Sequence, residues 1–469
     1  MKPPKKSIKP APPPAPRPPR KPVDTVEFTI DRLNVEGIGV ARDGHREVLI
    51  AGALPGERVV VHIVHRGQRR LIADLRRILT PSRERIPSPC KVARKCLGCP
   101  LIALHSRAQR RFKFDRVRNA LIAMSTLESI SVQPVQDAPA ALGYRTQAKL
   151  AIGGNRRDVR IGLYRRGSHD IVDIDNCPLH HPLINRIVAV VREEIIKQKV
   201  LVYDPRRKRG LLRYVAIRVS PTNNKALVTF VTTERNYNEM TALAKWLKRK
   251  VPEVVGVHEN VNMSDGNVIF GRTTFKLLGV DDLFDRVGAV QLSLSPTAFF
   301  QVNHDQATHI YQLVQKWAEP TASDTVLDLY CGIGGIALHL AAVAGRVIGI
   351  ESNEEAILNA RRNAVLNNLK NCVFYAGMAE DLLEDMAEEL PLRPIVVVNP
   401  PRSGCAESVL QAIISLRPKK LIYVSCNPDT LAHDLDILVK AGLKPITAQP
   451  VDMFPQTPHV ETVVLLAGA

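Results

Sequence analysis

The stretch VSCNPDTLAHDL, residues 424–435, sets Cys426 between a short apolar run and an Asn-Pro turn. A thiol at a strand end, just ahead of a helix and beside Ser425 and Asn427, stands where its thiolate gains stabilisation. The competing reading is a small side chain closing a buried strand, the commonest fate of a free cysteine. A second stretch, Asp328-Leu-Tyr-Cys-Gly-Ile-Gly-Gly, follows a strand pattern and opens a helix pattern. Its glycines permit close backbone approach to a ligand, and the helix start offers free N–H groups. Glu351 ends the next strand pattern, where a carboxylate accepts both hydroxyls of a ribose. Together they suit a nucleoside-bearing cofactor; a dinucleotide is the competitor, although DLYCGIGG falls short of GxGxxG. A third set is thiol-rich: Cys90, Cys96 and Cys99 are spaced C-x5-C-x2-C, and Cys177 in DNCPLH supplies a fourth ligand. Four soft thiolates hold either zinc or an iron-sulfur cluster.

The elements that must position these residues are legible as composition shifts along the 469-residue chain. At roughly 150 residues per domain the chain holds about three. Residues 1–22 combine many prolines with seven basic residues and no acid, and read as a disordered tail with weak RNA affinity. Residues 23–81 carry short alternating segments punctuated by glycine (VEFTIDRLN, GIGVARDG, ERVVVHIVHR) and predict a small β-barrel. Residues 82–320 mix strand patterns such as KLAIGG and KALVTFVTT with amphipathic helices such as LINRIVAVVREEI, an α+β middle domain. From 321 to 469 strand and helix patterns alternate (TVLDLY, GIALHLAAVAG, RVIGIES, PIVVVNP, KKLIYVSCN, HVETVVLLAG), which predicts a mostly parallel sheet covered on both faces. Ligands then belong at the carboxyl ends of its strands. The whole reads as multidomain α/β.

The formal charge of +19 favours a polyanionic partner, because cations bound to phosphates release condensed counterions. It is also bunched: residues 64–118 hold sixteen Lys/Arg against three Asp/Glu. Nucleic acid is the first candidate. No run of about 18 apolar residues occurs and the N-terminus lacks the apolar centre of a signal peptide, so the expected location is cytoplasmic, with no membrane role. In that compartment eight cysteines do not form a disulfide framework.

The segment at residues 23–81 resembles a TRAM domain, an RNA-binding barrel of OB-like shape, notably at GIGVARDG and ALPGERVVVHI. The C-terminal domain looks like a Rossmann-like seven-stranded methyltransferase. FFQVN (299–303), DLYCGIGG, NPPR (399–402), SCNP and HVETVVLL, in this order and spacing, resemble the RNA uracil-C5 methyltransferases. The TRAM-like barrel and the cysteine set point to the branch acting on 23S ribosomal RNA, with uridine 1939 as the implied target. The alternatives are another uridine in 23S rRNA or tRNA, or a non-catalytic RNA-binding assembly factor.

The resemblance implies a mechanism. Carbon 5 of uracil is a poor nucleophile, and a thiolate adding to C6 pushes electron density onto it. The cysteine of SCNP does this in the family, here Cys426; the glutamate of HVET removes the C5 proton, here Glu461. For S-adenosylmethionine the resemblance assigns Gln301, Tyr330, Gly335, Glu351 and Asn399. Two positions depart from the family pattern: Asn399 stands where DPPR has a carboxylate, and Met378 in YAGMAED stands where a polar residue would meet the adenine. The resemblance also implies a [4Fe-4S] cluster on Cys90, Cys96, Cys99 and Cys177, with a structural and RNA-positioning role, and no obligate protein partner. Cys331, Cys372 and Cys405 are read as structural. A radical-SAM methylthiotransferase would require C-x3-C-x2-C. A cytosine-C5 enzyme would require a second cysteine beside the proline loop, where only Cys405 lies near.

Overall fold

The computed structural model describes residues 25–468 except 156, 166, 265, 267, 387–389, 391 and 392; the tail expected at residues 1–22 lies outside them. The described chain divides into two compact units, one of residues 25–34 with 38–83 and the other of 35–37 with 84–468.

The first unit is a six-stranded sheet in the order Thr25–Thr29, Arg58–Arg66, Arg70–Thr80, Arg46–Ile50, Gly39–Asp43, Arg32–Leu33. Alternation drives it. Val59 and Val61 point into one core with Val48, Ile50, Leu71 and Ala73, while Arg58, Arg70 and Ile72 point out. Three irregularities in the pairing of Arg58–Arg66 with Arg70–Thr80 bend the ribbon around that core. Glu57 is buried, its carboxylate accepting from the backbone N–H groups of Leu54 (2.9 Å) and Ser82 (3.2 Å).

The second unit holds two large sheets. One has seven strands, Ile171–Asp173, Val159–Tyr164, Gln147–Gly154, Leu212–Ser220, Lys225–Thr232, Val254–Val261 and Thr273–Gly279. All neighbours are antiparallel except Lys225–Thr232 with Val254–Val261, joined across the helix Tyr237–Lys250. A second helix, Pro182–Gln198, starts on His181, whose ring nitrogen accepts from Leu183 N, and ends at Lys199 in the left-handed region (φ 57°). Its Ile184, Ile187, Val188, Val191 and Ile195, at helical spacing, pack with Leu243 and Leu247 against one sheet face.

The other sheet runs Cys372–Ala376, Arg346–Glu351, Thr325–Leu329, Ile395–Val398, Lys420–Ser425, Glu461–Ala467, Lys444–Val451 and Ser131–Val132. The first five are parallel, and Glu461–Ala467 is antiparallel to both its neighbours. The seven strands expected from the sequence are thus joined by an eighth: Ser131 and Val132 pair with Thr447 and Ala448 and cover an edge that would otherwise expose its backbone. The preceding helix, Ser106–Ile122, sends Val117 and Leu121 into the core of this sheet. A buried ion pair between Lys113 and Asp452 ties it to the end of Lys444–Val451. Strand order reverses on either side of Thr325–Leu329, which creates a crevice at the carboxyl ends. Among the described residues no helix is long and apolar enough to cross a membrane.

Candidate active site

Two facts of sheet geometry bring Cys426 and Glu461 together. Strand Lys420–Ser425 ends one residue before Cys426, and strand Glu461–Ala467 begins at Glu461. Their antiparallel register pairs Ser425 with Thr462, so one further step sets Cys426 opposite Glu461. The chain then turns sharply into a helix. Asn427 caps it by accepting from Asp429 N at 3.2 Å, and Pro428 occupies the first turn, where a missing N–H costs nothing.

Glu461 is almost wholly enclosed, 3% exposed. Burial pushes its carboxyl up to about 7, against a lowering by the nearby Arg402 cation. Cys426 is partly buried, and burial followed by the Glu461 charge raises its thiol, opposed by the charge and a hydrogen bond of Arg402. Arg402 is therefore a cation common to both groups, a residue that sequence reading quoted in NPPR without assigning it work. The signal was its place two residues beyond a strand-end Asn-Pro. Its loop is latched onto the next helix, the Arg402 carbonyl accepting from Asn427 Nδ2 (3.0 Å) and Thr430 Oγ1 (3.3 Å). Asp434 secures the far end of the loop, accepting from Cys405 N at 2.8 Å and from the Tyr423 hydroxyl at 2.5 Å. Gly404, at φ +84°, is required there: a Cβ would stand 2.7 Å from Asp434 Oδ2.

Cys426, Arg402 and Asn427 open onto a cavity of about 460 Å³ whose walls include Arg116, His459, Leu97 and Gly98. Burial and the surrounding cations, Arg402 first, hold His459 down at about 4, so it is neutral at physiological pH. Leu97 and Gly98 lie between Cys96 and Cys99, so the cysteine segment forms one wall of the cavity that exposes Cys426.

The nucleotide end lies at the crevice. Tyr330, Gly332 and Gly334 all have positive φ (62°, 55°, 85°), a turn that a non-glycine such as Tyr330 enters only at a cost. Glu351 holds this turn and the next helix, accepting from Gly332 N (3.1 Å) and Asn353 N (2.9 Å). A Cβ on Gly332 would meet nothing within 4 Å, so the turn faces open space, whereas one on Gly335 would meet the Tyr311 hydroxyl at 2.7 Å. Asp328, at the base of the turn, accepts from Ala337 N at 2.9 Å through Oδ2 while Oδ1 is buried without a partner, and burial pushes it up to about 7. Asn399 follows Ile395–Val398 and donates its N–H to Leu329 O (3.2 Å), beside Tyr330. Gln301 follows buried Phe300 and precedes Asn303, which caps the helix His304–Ala318; that helix packs Tyr311 against His339 beside Gly335. Met378, half exposed, stands at the start of helix Ala379–Asp385 with no side-chain cap bond.

The cysteine set combines the segment from Cys90 to Cys99 with the distant Cys177. Cys90 N donates to Ser88 Oγ (3.2 Å), Cys96 closes the short helix Ala93–Cys96, and Cys177 exchanges two hydrogen bonds with the Asn185 side chain. Burial, with the neighbouring thiols of Cys177, Cys96 and Cys90, pushes the Cys99 thiol up to about 12. All four thus lie within electrostatic reach of one another. Among the described residues, however, no group of three or more His, Cys, Asp or Glu is arranged to hold a metal ion. Of the remaining cysteines, Cys331 is buried in the core, and Cys405 donates its thiol to the Tyr423 hydroxyl at 3.6 Å.

Residues 111–469 match the model of the tRNA (uracil-5-)-methyltransferase family, and residues 26–83 match that of the TRAM domain of tRNA (uracil(54)-C(5))-methyltransferase. An uncharacterized RNA methyltransferase of Geobacter sulfurreducens is 46% identical over 444 residues, 94% of this chain and 90% of that protein. One of Gloeobacter violaceus is 38% identical over 445 residues, 94% of this chain and 96% of that protein. The crystal structure of Pyrococcus abyssi tRNA (uracil-54, C5)-methyltransferase in complex with S-adenosyl-L-homocysteine superimposes with a TM-score of 0.76 at 27% identity, covering 94% of this chain and 99% of that one. The chain belongs to the tRNA (uracil-5-)-methyltransferase family.

Proposed function

We propose that this family member methylates carbon 5 of a uridine in 23S ribosomal RNA through a transient bond between Cys426 and C6 of the base. The observation that carries the reading is the register that sets Cys426 opposite buried Glu461, with Arg402 beside both, at the mouth of a cavity. The Cys426 thiolate adds to C6, and the electron pair moves to C5, which takes the methyl. Glu461 removes the remaining C5 proton; the C5–H electrons re-form the ring double bond as the C6–S bond breaks, returning the thiolate. Arg402 favours the ionised form of the thiol and of Glu461 in turn. A carboxyl near 7 is half ionised at neutral pH, which suits a base that must also release its proton. A base within folded RNA must first be flipped out of its stack to reach the thiol.

S-adenosylmethionine supplies an electrophilic methyl group. The residues present fit it: the open turn at Gly332 and the carboxylate of Glu351 offer backbone approach and a ribose partner, with Tyr330, Gly335, Gln301 and Asn399 completing the set. The Pyrococcus abyssi relative, bound to the demethylated product of that cofactor, supports this. The thiols of Cys90, Cys96, Cys99 and Cys177, each within electrostatic reach of the others, are the residues that would hold a [4Fe-4S] cluster. In this reading the cluster stiffens the wall at Leu97 and Gly98. The TRAM barrel and the bunched positive charge supply non-specific hold on the RNA. A second reading, a tRNA uridine as substrate, is favoured by the fold shared with the tRNA enzyme over almost the whole chain.

The test incubates the protein with 5-fluorouridine-substituted 23S rRNA fragments or tRNA transcripts and labelled cofactor. A covalent complex is expected with the rRNA and its loss with Cys426→Ala. A complex that survives in Cys426→Ala refutes the nucleophile, and one formed with tRNA alone selects the second reading.

A further inference from the structure

The seven-stranded sheet has a second face, which the catalytic reading leaves without work. Val215 and Leu150 point to the helices, whereas the alternating Tyr214 and Ala151 point away and pack with Ile171 and Phe270. On that side lies a cavity of about 710 Å³ that shares no lining residue with the one at Cys426. We infer that this cavity is a second RNA subsite, holding one unstacked nucleotide of the same RNA while another is methylated; the inference rests on the proposed RNA substrate.

The floor of the cavity is built from a buried cation between aromatic rings. The Arg213 guanidinium stands 5.1 Å from the Tyr203 ring centre and 5.6 Å from that of Tyr214. The side chain is 7% exposed, and Nη1 donates to the carbonyls of Asn262 (2.6 Å) and Ser264 (2.8 Å), while Nε is buried without a partner. Tyr164 meets Tyr214 edge-on at 6.4 Å and is itself 37% exposed. An exposed ring supported edge-on by a second ring, itself held against a fixed guanidinium, is what a nucleobase stacks on, and the preference is tolerant of sequence.

The rim selects for phosphate. Among the described lining residues the rim carries the cations Arg160, Arg165, Arg206 and Lys208 and the carboxylates Asp170 and Asp204. Both carboxylates are committed: Asp170 accepts from Arg206 at 3.0 Å, and Asp204 accepts from the backbone N–H groups of Arg206 and Arg207. The volume falls in the roughly 300–1,000 Å³ range of small-ligand sites, so it admits one nucleotide and excludes a duplex. Aromatic stacking with a phosphate rim favours single-stranded RNA over an acidic peptide, which would use the rim but not the rings.

The test measures binding of fluorescent single-stranded rRNA fragments by anisotropy, in the Cys426→Ala background so that binding is read without turnover. Tyr164→Ala is expected to weaken binding about five- to hundred-fold, the range of one lost base stack, and Tyr164→Phe to restore most of it. Photo-crosslinking with 4-thiouridine-substituted RNA is expected to mark peptides containing Tyr164 or Tyr203. Equal affinities for Tyr164→Ala and the parent, or displacement by a poly-glutamate peptide with no effect of Tyr164→Ala, would overturn the inference. Tyr164-dependent binding by a protein that methylates no RNA would sink the proposed function alone. Methylation with binding independent of Tyr164 would sink this inference alone.

Discussion

Cysteines stand in two settings about one cavity, Cys426 in its lining and Cys96 and Cys99 on either side of the lining residues Leu97 and Gly98, and the difference lies in the company each thiol keeps. Cys426 has the Glu461 carboxylate and the Arg402 guanidinium as charged neighbours, and its place is set by a sheet register. Cys96, which ends a short helix, and Cys99, the two flanking Leu97 and Gly98 on the other wall, have other thiols as neighbours. A thiol that must attack and then leave needs a cation to favour ionisation and a carboxylate to release it. Thiols crowded together need something that removes their protons permanently, since each thiolate disfavours the next. Nucleophilicity and ligation thus follow from neighbours, not from residue type.

The comparison breaks most sharply at Glu461. Glu461→Gln keeps the shape of the buried site but removes the base, so turnover should fall about 10²- to 10⁴-fold while the protein–RNA adduct accumulates on unsubstituted RNA. Trapping by denaturing electrophoresis checks this; turnover lost without an adduct would place Glu461 before the addition step. In the parent, release should quicken as pH rises through about 7, because only the ionised carboxylate accepts the proton. Arg402→Ala should cost less, about 10- to 100-fold, because it weakens an electrostatic bias and leaves both reacting groups in place. The sign is fixed: Arg402 lowers the pKa of both Cys426 and Glu461, so its removal should move the pH–rate profile to higher pH. An unshifted profile would confine Arg402 to holding the loop. The smallest effect is expected on the other wall. Cys99→Ser should abolish iron and sulfide content, read by chemical assay of anaerobically purified protein, and raise the RNA KM roughly tenfold with cofactor affinity unchanged. Stoichiometric zinc in place of iron would replace the cluster in this comparison without altering its logic.

Much of this was legible in the sequence because local patterns carry it. The β-branched run of RVVVHIVHR announces a strand, and the glycines of DLYCGIGG announce a tight strand-to-helix turn. The eighth strand was not legible, because Ser131–Val132 is two residues long and pairs only through neighbours more than 300 positions away. Arg402 and Asp434 were in view as letters, but nothing in their spacing says that one faces Cys426 and the other anchors the loop from across the helix.

The chain by itself determined which chemistry is available: one cysteine at a strand end, a glutamate in the last strand, four thiols at ligand spacing and a positive charge suited to RNA. Tertiary structure decided which of these groups meet. Cys426 and Glu461 are brought opposite one another by an antiparallel register, and that strand pair buries the carboxylate beside the Arg402 cation. Burial and proximity set the energy of a charge far more strongly than residue type does, and both come into being only when the chain closes on itself.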